Sequence, residues 1–159
     1  MKYLISFLII PLLYSCSSDD GKEQFVYDVS VEFSVKDSEG NDLLNPENSN
    51  SFDESEIKLF YLINGEVNEV YDGNMDHPRN FVINEYPPAS EYRIGVFLNY
   101  SETEEQPTTY IKWNETDTDT LKCEVYRTNS LTKITKLWLN DEQIWTSSDG
   151  TVPYFEILK

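Results

Sequence analysis

Val29-Ser30-Val31-Glu32-Phe33-Ser34-Val35-Lys36 alternates apolar and polar residues without a break. A period of two places Val29, Val31, Phe33 and Val35 on one face and the polar set on the other, the pattern of a strand with one buried side. Asp37-Ser38-Glu39-Gly40-Asn41-Asp42 then supplies turn residues, followed by Leu43-Leu44 and a polar loop over 45–54. Ile57 to Ile63 is apolar on both faces, as expected of a central strand. Asn64-Gly65 is the pair that a two-residue type I′ hairpin needs, because both positions take positive φ, and Glu66 to Tyr71 returns beside it.

Outward from this region the same grammar continues. Strands are expected at 81–86, 92–99, 109–113, 120–127, 133–139, 143–146 and 154–158. They are separated by Asp72-Gly73-Asn74, Pro87-Pro88, an acidic loop over 101–107, Asn140-Asp141-Glu142 and a polar stretch over 147–150. Turn signals recur roughly every 8–12 residues, and no segment beyond the N-terminal region holds a 3.6-residue period long enough for a helix. The expectation is an all-β chain forming a single antiparallel β-sandwich, with no internal repeat and no second domain boundary.

The 159 residues carry 12 Lys+Arg against 29 Asp+Glu, a formal charge of −17. That balance excludes nucleic acid as a partner, since phosphate binding depends on Lys and Arg. One histidine and two cysteines exclude most zinc sites and any multi-disulfide scaffold.

The N-terminus is different material. Lys2 precedes an apolar run from Tyr3 to Leu13, too short for the roughly 20 residues of a membrane-crossing helix but right for a signal peptide. Leu13-Tyr14-Ser15-Cys16 resembles the bacterial lipobox, with Tyr14 departing from the small residue usual at its most tolerant position. The resemblance implies cleavage before Cys16, which is lipidated (palmitate among the acyl groups) and becomes the mature N-terminus. Ser17-Ser18-Asp19-Asp20 resembles the acidic stretch that directs Bacteroidetes lipoproteins to the outer face of the outer membrane. The expected organisation is a signal peptide over 1–15, a lipidated cysteine and acidic linker over 16–24, and a β-sandwich domain over 25–159. Extended, the linker from Ser17 to Gln24 reaches at most about 28 Å, so the domain would sit close above the membrane. The segment 1–15 contains Lys2 and no acid, so the negative charge belongs to the extracytoplasmic part.

The opening strand, with its Asp-x-x-Gly turn and Leu43-Leu44, resembles the start of prealbumin-like (transthyretin-like) sandwiches, a build common among small Bacteroidetes lipoproteins. The resemblance implies a prealbumin-like or Ig-like sandwich and carries no functional residues. Fimbrial subunits of those bacteria use related sandwiches, which keeps a structural subunit of a surface assembly as the alternative role.

Candidate chemistry is sparse. Leu121, Cys123 and Val125 share an apolar face, which reads Cys123 as a buried structural thiol. His77 lies in a loop and no nucleophile motif accompanies it, so catalysis is not expected. Asp117 with Asp119, and Asp37 with Glu39 and Asp42, are oxygen clusters that also fit ordinary turns, and neither matches an EF-hand loop. No metal and no cofactor are expected. Asp119-Thr120-Leu121 resembles the sequon at which Bacteroidetes proteins are O-glycosylated, on Thr120. Asn99-Tyr100-Ser101 and Asn114-Glu115-Thr116 are formal N-glycosylation sequons, coincidental in a bacterial protein.

Among the late aromatics, Trp113 and Trp145 read as core. If Thr135, Leu137 and Leu139 point inward, then Ile134, Lys136 and Trp138 face outward, and Trp138 with Tyr126 would offer a ring platform for a sugar. The functional expectation is a monomeric, non-catalytic, surface-exposed lipoprotein, held to the membrane by its lipid. It would bind an extracellular glycan or a protein partner, with Trp138 and Tyr126 as the ligand-contacting residues.

Overall fold

The computed structural model describes residues 25–159, so the expected signal peptide over 1–15 and the expected lipidated Cys16 and linker over 16–24 lie outside the described residues. The described chain is all-β. Its strands are β1 (Val26–Asp28), β2 (Ser30–Lys36), β3 (Lys58–Ile63), β4 (Glu66–Glu69), β5 (Phe81–Tyr86) and β6 (Glu91–Phe97), followed by β7 (Thr108–Lys112), β8 (Thr118–Arg127), β9 (Leu131–Leu139), β10 (Glu142–Thr146) and β11 (Tyr154–Leu158). Single 3-10 turns occur at Pro87–Ala89 and Ser147–Asp149. Among the described residues no helix is long and apolar enough to cross a membrane.

Two sheets form. The larger runs β1-β9-β8-β7-β3-β4, with β10 also paired to β9, and the smaller runs β11-β2-β6-β5. One core lies between them, as in a β-sandwich. The inward residues of β2 (Val31, Phe33, Val35) and β6 (Ile94, Val96) meet Leu59, Ile111, Leu121 and Leu137 of the larger sheet, all buried. Each such side chain contributes about 1.5–3 kcal/mol by leaving water. Trp113 is fully buried at the centre, stacked on Phe52 at 5.0 Å and edge-on to Phe33 at 6.2 Å.

The Asn64-Gly65 hairpin forms as its chemistry dictates. The two residues have φ of +53° and +78°, and Ile63 pairs with Glu66 across them. Asn140-Asp141 makes a second two-residue hairpin of the same handedness without glycine, at φ +48° and +71°. The Asp37 turn is closed by its own carboxylate, whose Oδ1 accepts the Glu39 and Asn41 amides at 2.9 and 2.8 Å.

Two expectations need correction. The sheets are not purely antiparallel: β1 pairs parallel with β9, and β11 pairs parallel with β2. Parallel pairing requires a long connection, which strands from opposite parts of the chain have and hairpin partners lack. β1 and β2 are nearly continuous, crossing between sheets at buried Val29, whose carbonyl accepts the Leu98 amide at 2.9 Å.

The second correction concerns β9. Glu124 pairs with Lys136 and Val125 with Ile134, so Thr135 is a bulged extra residue. The bulge reverses which residues face inward. Thr132 and Ile134 are buried before it, and Leu137 after it, while Thr135 turns outward to bond the Glu124 carbonyl at 3.2 Å. Strict alternation predicted Ile134 outward and Thr135 inward, and a bulge is what alternation alone does not contain.

Candidate functional site

Beside the point where β1 of the larger sheet passes into β2 of the smaller lies a cleft of about 450 Å³. One side is aromatic. Tyr27 of β1 pairs with inward-facing Thr132, so its ring lies on the inner side of the larger sheet, at an edge the smaller sheet leaves uncovered. Tyr61, on the inner face of β3, forms another part of the wall, and Phe97 and Tyr100 complete it from the end of β6 and the turn after it. Tyr27, Phe97 and Tyr100 are 57, 42 and 41% exposed, an unusual degree of solvent contact for large rings grouped together. Tyr27 lies 4.6 Å from the Phe25 ring and 5.2 Å from that of Tyr100, tilted to both.

The other side is polar and comes from the loop over 72–80, which presents Asn74, Asp76, His77 and Asn80, with Met75 among them. This loop is braced. The Asp72 amide donates to the Pro78 carbonyl at 2.8 Å, and Asp72 Oδ1 accepts the Asn74 amide at 2.9 Å. Asn80, in the left-handed region at φ +55°, accepts the Phe97 amide on its carbonyl at 2.9 Å. Its side-chain amide donates to the Tyr61 hydroxyl at 3.1 Å, and that hydroxyl donates to the Phe97 carbonyl at 2.7 Å. Burial pushes the Tyr61 hydroxyl up to about 12, against the Asn80 hydrogen bond, so it is neutral across the ordinary pH range.

Tyr100 is held through its backbone. Asn99 is buried, its side-chain amide donating to the Leu62 carbonyl at 2.8 Å and its Oδ1 accepting the Ser101 amide at 2.9 Å. The Tyr100 carbonyl itself accepts from Arg127 Nη2 at 2.7 Å. Both walls therefore stand preformed, as binding clefts generally do. Among the described residues Asp76 is the one carboxylate in the lining, and no Lys or Arg lines it.

The residues expected to contact ligand lie elsewhere. Trp138 does face outward, on the far side of the larger sheet, half-buried with Lys122 and Gln143 directly opposite it on β8 and β10. Tyr126 shares that face and is exposed, with Lys133 Nζ 5.9 Å from its ring. Four positions along β8 from Lys122 to Tyr126 separate the two aromatics by about 13 Å. The Lys136–Glu124 pair, 2.9 Å, stands between them. They do not form one platform.

Thr120 lies mid-strand on the same outer face, paired with Tyr110, its amide donating to Asn140 Oδ1 at 2.9 Å. Its neighbour Asp119 is buried and takes hydrogen bonds from Trp113 Nε1 at 2.7 Å, Asn140 Nδ2 at 2.8 Å and Lys159 Nζ at 2.6 Å. Lys159 also holds Asp117 at 2.8 Å, so protein donors already engage that carboxylate pair. Asp42 is likewise engaged, accepting the Tyr92 and Leu44 amides at 2.7 and 2.9 Å. Among the described residues no three His, Cys, Asp or Glu side chains converge as a metal site requires. Cys123 is buried in the core, and burial pushes its thiol up to about 12. Trp113 and Trp145 are core, as expected.

Alternation does not reveal the cleft, because its walls come from separate strands and a loop. The available sequence signal was local: Phe25 and Tyr27 just before the first long strand, and Phe97 and Tyr100 around a buried Asn. No family model, no curated protein and no solved structure matches the chain.

Proposed function

We propose that this protein is a lipid-anchored lipoprotein of the outer face of the outer membrane that binds an extracellular glycan without cleaving it. The observation that carries the reading is the cleft, with Tyr27, Tyr61, Phe97 and Tyr100 opposite Asn74, Asp76, His77 and Asn80. A sugar ring has an apolar C–H face and a hydroxyl edge. Flat rings that bury the first, beside amide and carboxylate groups that bond the second, suit both. The single lining carboxylate supports binding over hydrolysis, because glycoside cleavage ordinarily uses a pair.

The lipobox-like Leu13-Tyr14-Ser15-Cys16 and the acidic residues after it support the anchored, surface-exposed location. The opening strand and Asp37 turn support a prealbumin-like or Ig-like type for the sandwich. The first and last described strands are each hydrogen-bonded within the chain, β1 to β9 and β11 to β2, which favours a monomeric binding module over a subunit that exchanges strands.

The test is a glycan screen with the full chain in detergent, comparing wild type with Tyr27→Ala and Tyr100→Ala. Wild type should bind at least one neutral or basic glycan, each substitution should weaken that binding about tenfold or more, and Trp138→Ala should leave it unchanged. Binding to no glycan, or loss through Trp138→Ala alone, would overturn the reading. Palmitate labelling that persists in Cys16→Ala would remove the anchored location.

A further inference from the structure

Among the described residues, three exposed rings outside the cleft, Tyr86, Tyr154 and Tyr126, have a cation of this chain over them, whereas Phe25 and Tyr71 do not. Arg93 lies between Tyr86 and Tyr154, 3.6 and 4.0 Å from the ring centres. Lys133 stands over Tyr126 at 5.9 Å, and Arg79 over the buried ring of Phe81 at 5.0 Å. Among the described residues, none of the four rings of the cleft has such a partner. The lining adds the Asp76 carboxylate and no Lys or Arg. Arg127, which reaches the Tyr100 backbone, has the Glu102 carboxylate 3.9 Å away and is outside the lining.

Aromatic faces are negative at their centres and attract ammonium groups, most strongly where water is partly excluded, and a neighbouring carboxylate adds to the attraction. The charge of −17 raises the local concentration of cations and repels anions over the whole surface. From these observations we infer that the cleft selects a basic sugar, a hexosamine whose amine is free and positively charged, over its N-acetylated and neutral counterparts. The inference rests on the reading of the cleft as a saccharide site and adds the charge of the ligand to it. In the bound arrangement the ammonium sits among Tyr27, Tyr100 and Phe97 with Asp76 beside it, and the ring hydroxyls meet Asn74 and Asn80.

The test is calorimetric titration of the full chain in detergent with three oligosaccharides of equal length. The first is glucosamine, titrated at a pH where its free amine is protonated. The others are N-acetylglucosamine and glucose. The cationic oligomer should bind about ten times more tightly than either. The preference should shrink to near parity in Asp76→Asn and with rising salt, while Tyr100→Ala weakens all binding. Equal affinity for the three oligomers would overturn the inference and leave a saccharide site standing. Binding of none would remove both. Tetramethylammonium binding as tightly as the cationic oligomer would also overturn it, since the cation would then be recognised without the sugar.

Discussion

Asp119 shows how a single residue ties the two sheets together. It sits on β8 in the larger sheet, and one of its three donors is Lys159, whose amide bonds the Lys36 carbonyl of the smaller sheet at 2.8 Å. Burial alone would raise its carboxyl, but hydrogen bonds from Asn140, Lys159 and Trp113 and the Lys159 charge outweigh burial and hold it below the ordinary value. A carboxyl lowered on folding stabilises the protein fully above its unfolded value of about 3.9. That contribution is lost as pH falls through the lower folded value. Urea denaturation followed from pH 6 to pH 2.5 should therefore show a loss of stability over the acid end that is shallower in Asp119→Asn. At pH 7, Asp119→Ala should cost about 2–4 kcal/mol, because it strands the buried Trp113 indole N–H and the Asn140 amide and leaves Lys159 with Asp117 alone. A cost under about 0.5 kcal/mol would mean that the network relaxes around the gap. The sequence shows Asp119 only as one acid of an alternating pair; its partners are 6, 21 and 40 residues away, and no local pattern connects them.

At the scale of elements, glycines in two different settings separate turn chemistry from strand packing. Gly65 holds φ +78° in the β3–β4 hairpin, so Gly65→Ala should cost about 1–2 kcal/mol although a Cβ there would meet nothing within 4 Å. Gly95 lies within β6 at ordinary strand geometry, where an added Cβ would touch Val82 Cγ1 at 3.5 Å, a normal contact. Gly95→Ala should be neutral or mildly stabilising, by restricting the unfolded chain. Equal urea midpoints for the two variants would contradict the distinction. The hairpin was legible because its backbone requirement is carried by two adjacent residues. β5 was legible to the residue because turn residues lie on both sides of it, and β11 because the polar stretch over 147–150 precedes its apolar run. β1 was not, since its three residues are exposed and show no apolar alternation to detect. The orientation of Ile134 was not legible either, because the register of β9 against β8 shifts at Thr135 and no local pattern in the sequence marks that shift.

For the whole molecule, the excess of 17 negative charges opposes compaction. Several ion pairs are exposed, such as Lys58–Glu69 at 3.0 Å, and contribute little to offset it. Added salt screens both effects, and with so large an imbalance the repulsion dominates. The melting temperature should rise between about 10 mM and 200 mM NaCl, where the screening length falls from about 30 Å to under 10 Å. A fall over that range would mean that the ion pairs outweigh the net repulsion. The same scale accounts for the site. The all-β class, most strand positions, the burial of Trp113, Trp145 and Cys123 and the type I′ hairpin follow from the sequence alone, because period, turn propensity and apolarity act over a few neighbouring residues. The parallel pairings, the bulge in β9 and the gathering of Tyr27, Tyr61, Phe97 and Tyr100 opposite Asp76 were decided only by the tertiary structure, because each depends on which distant strands come to lie side by side.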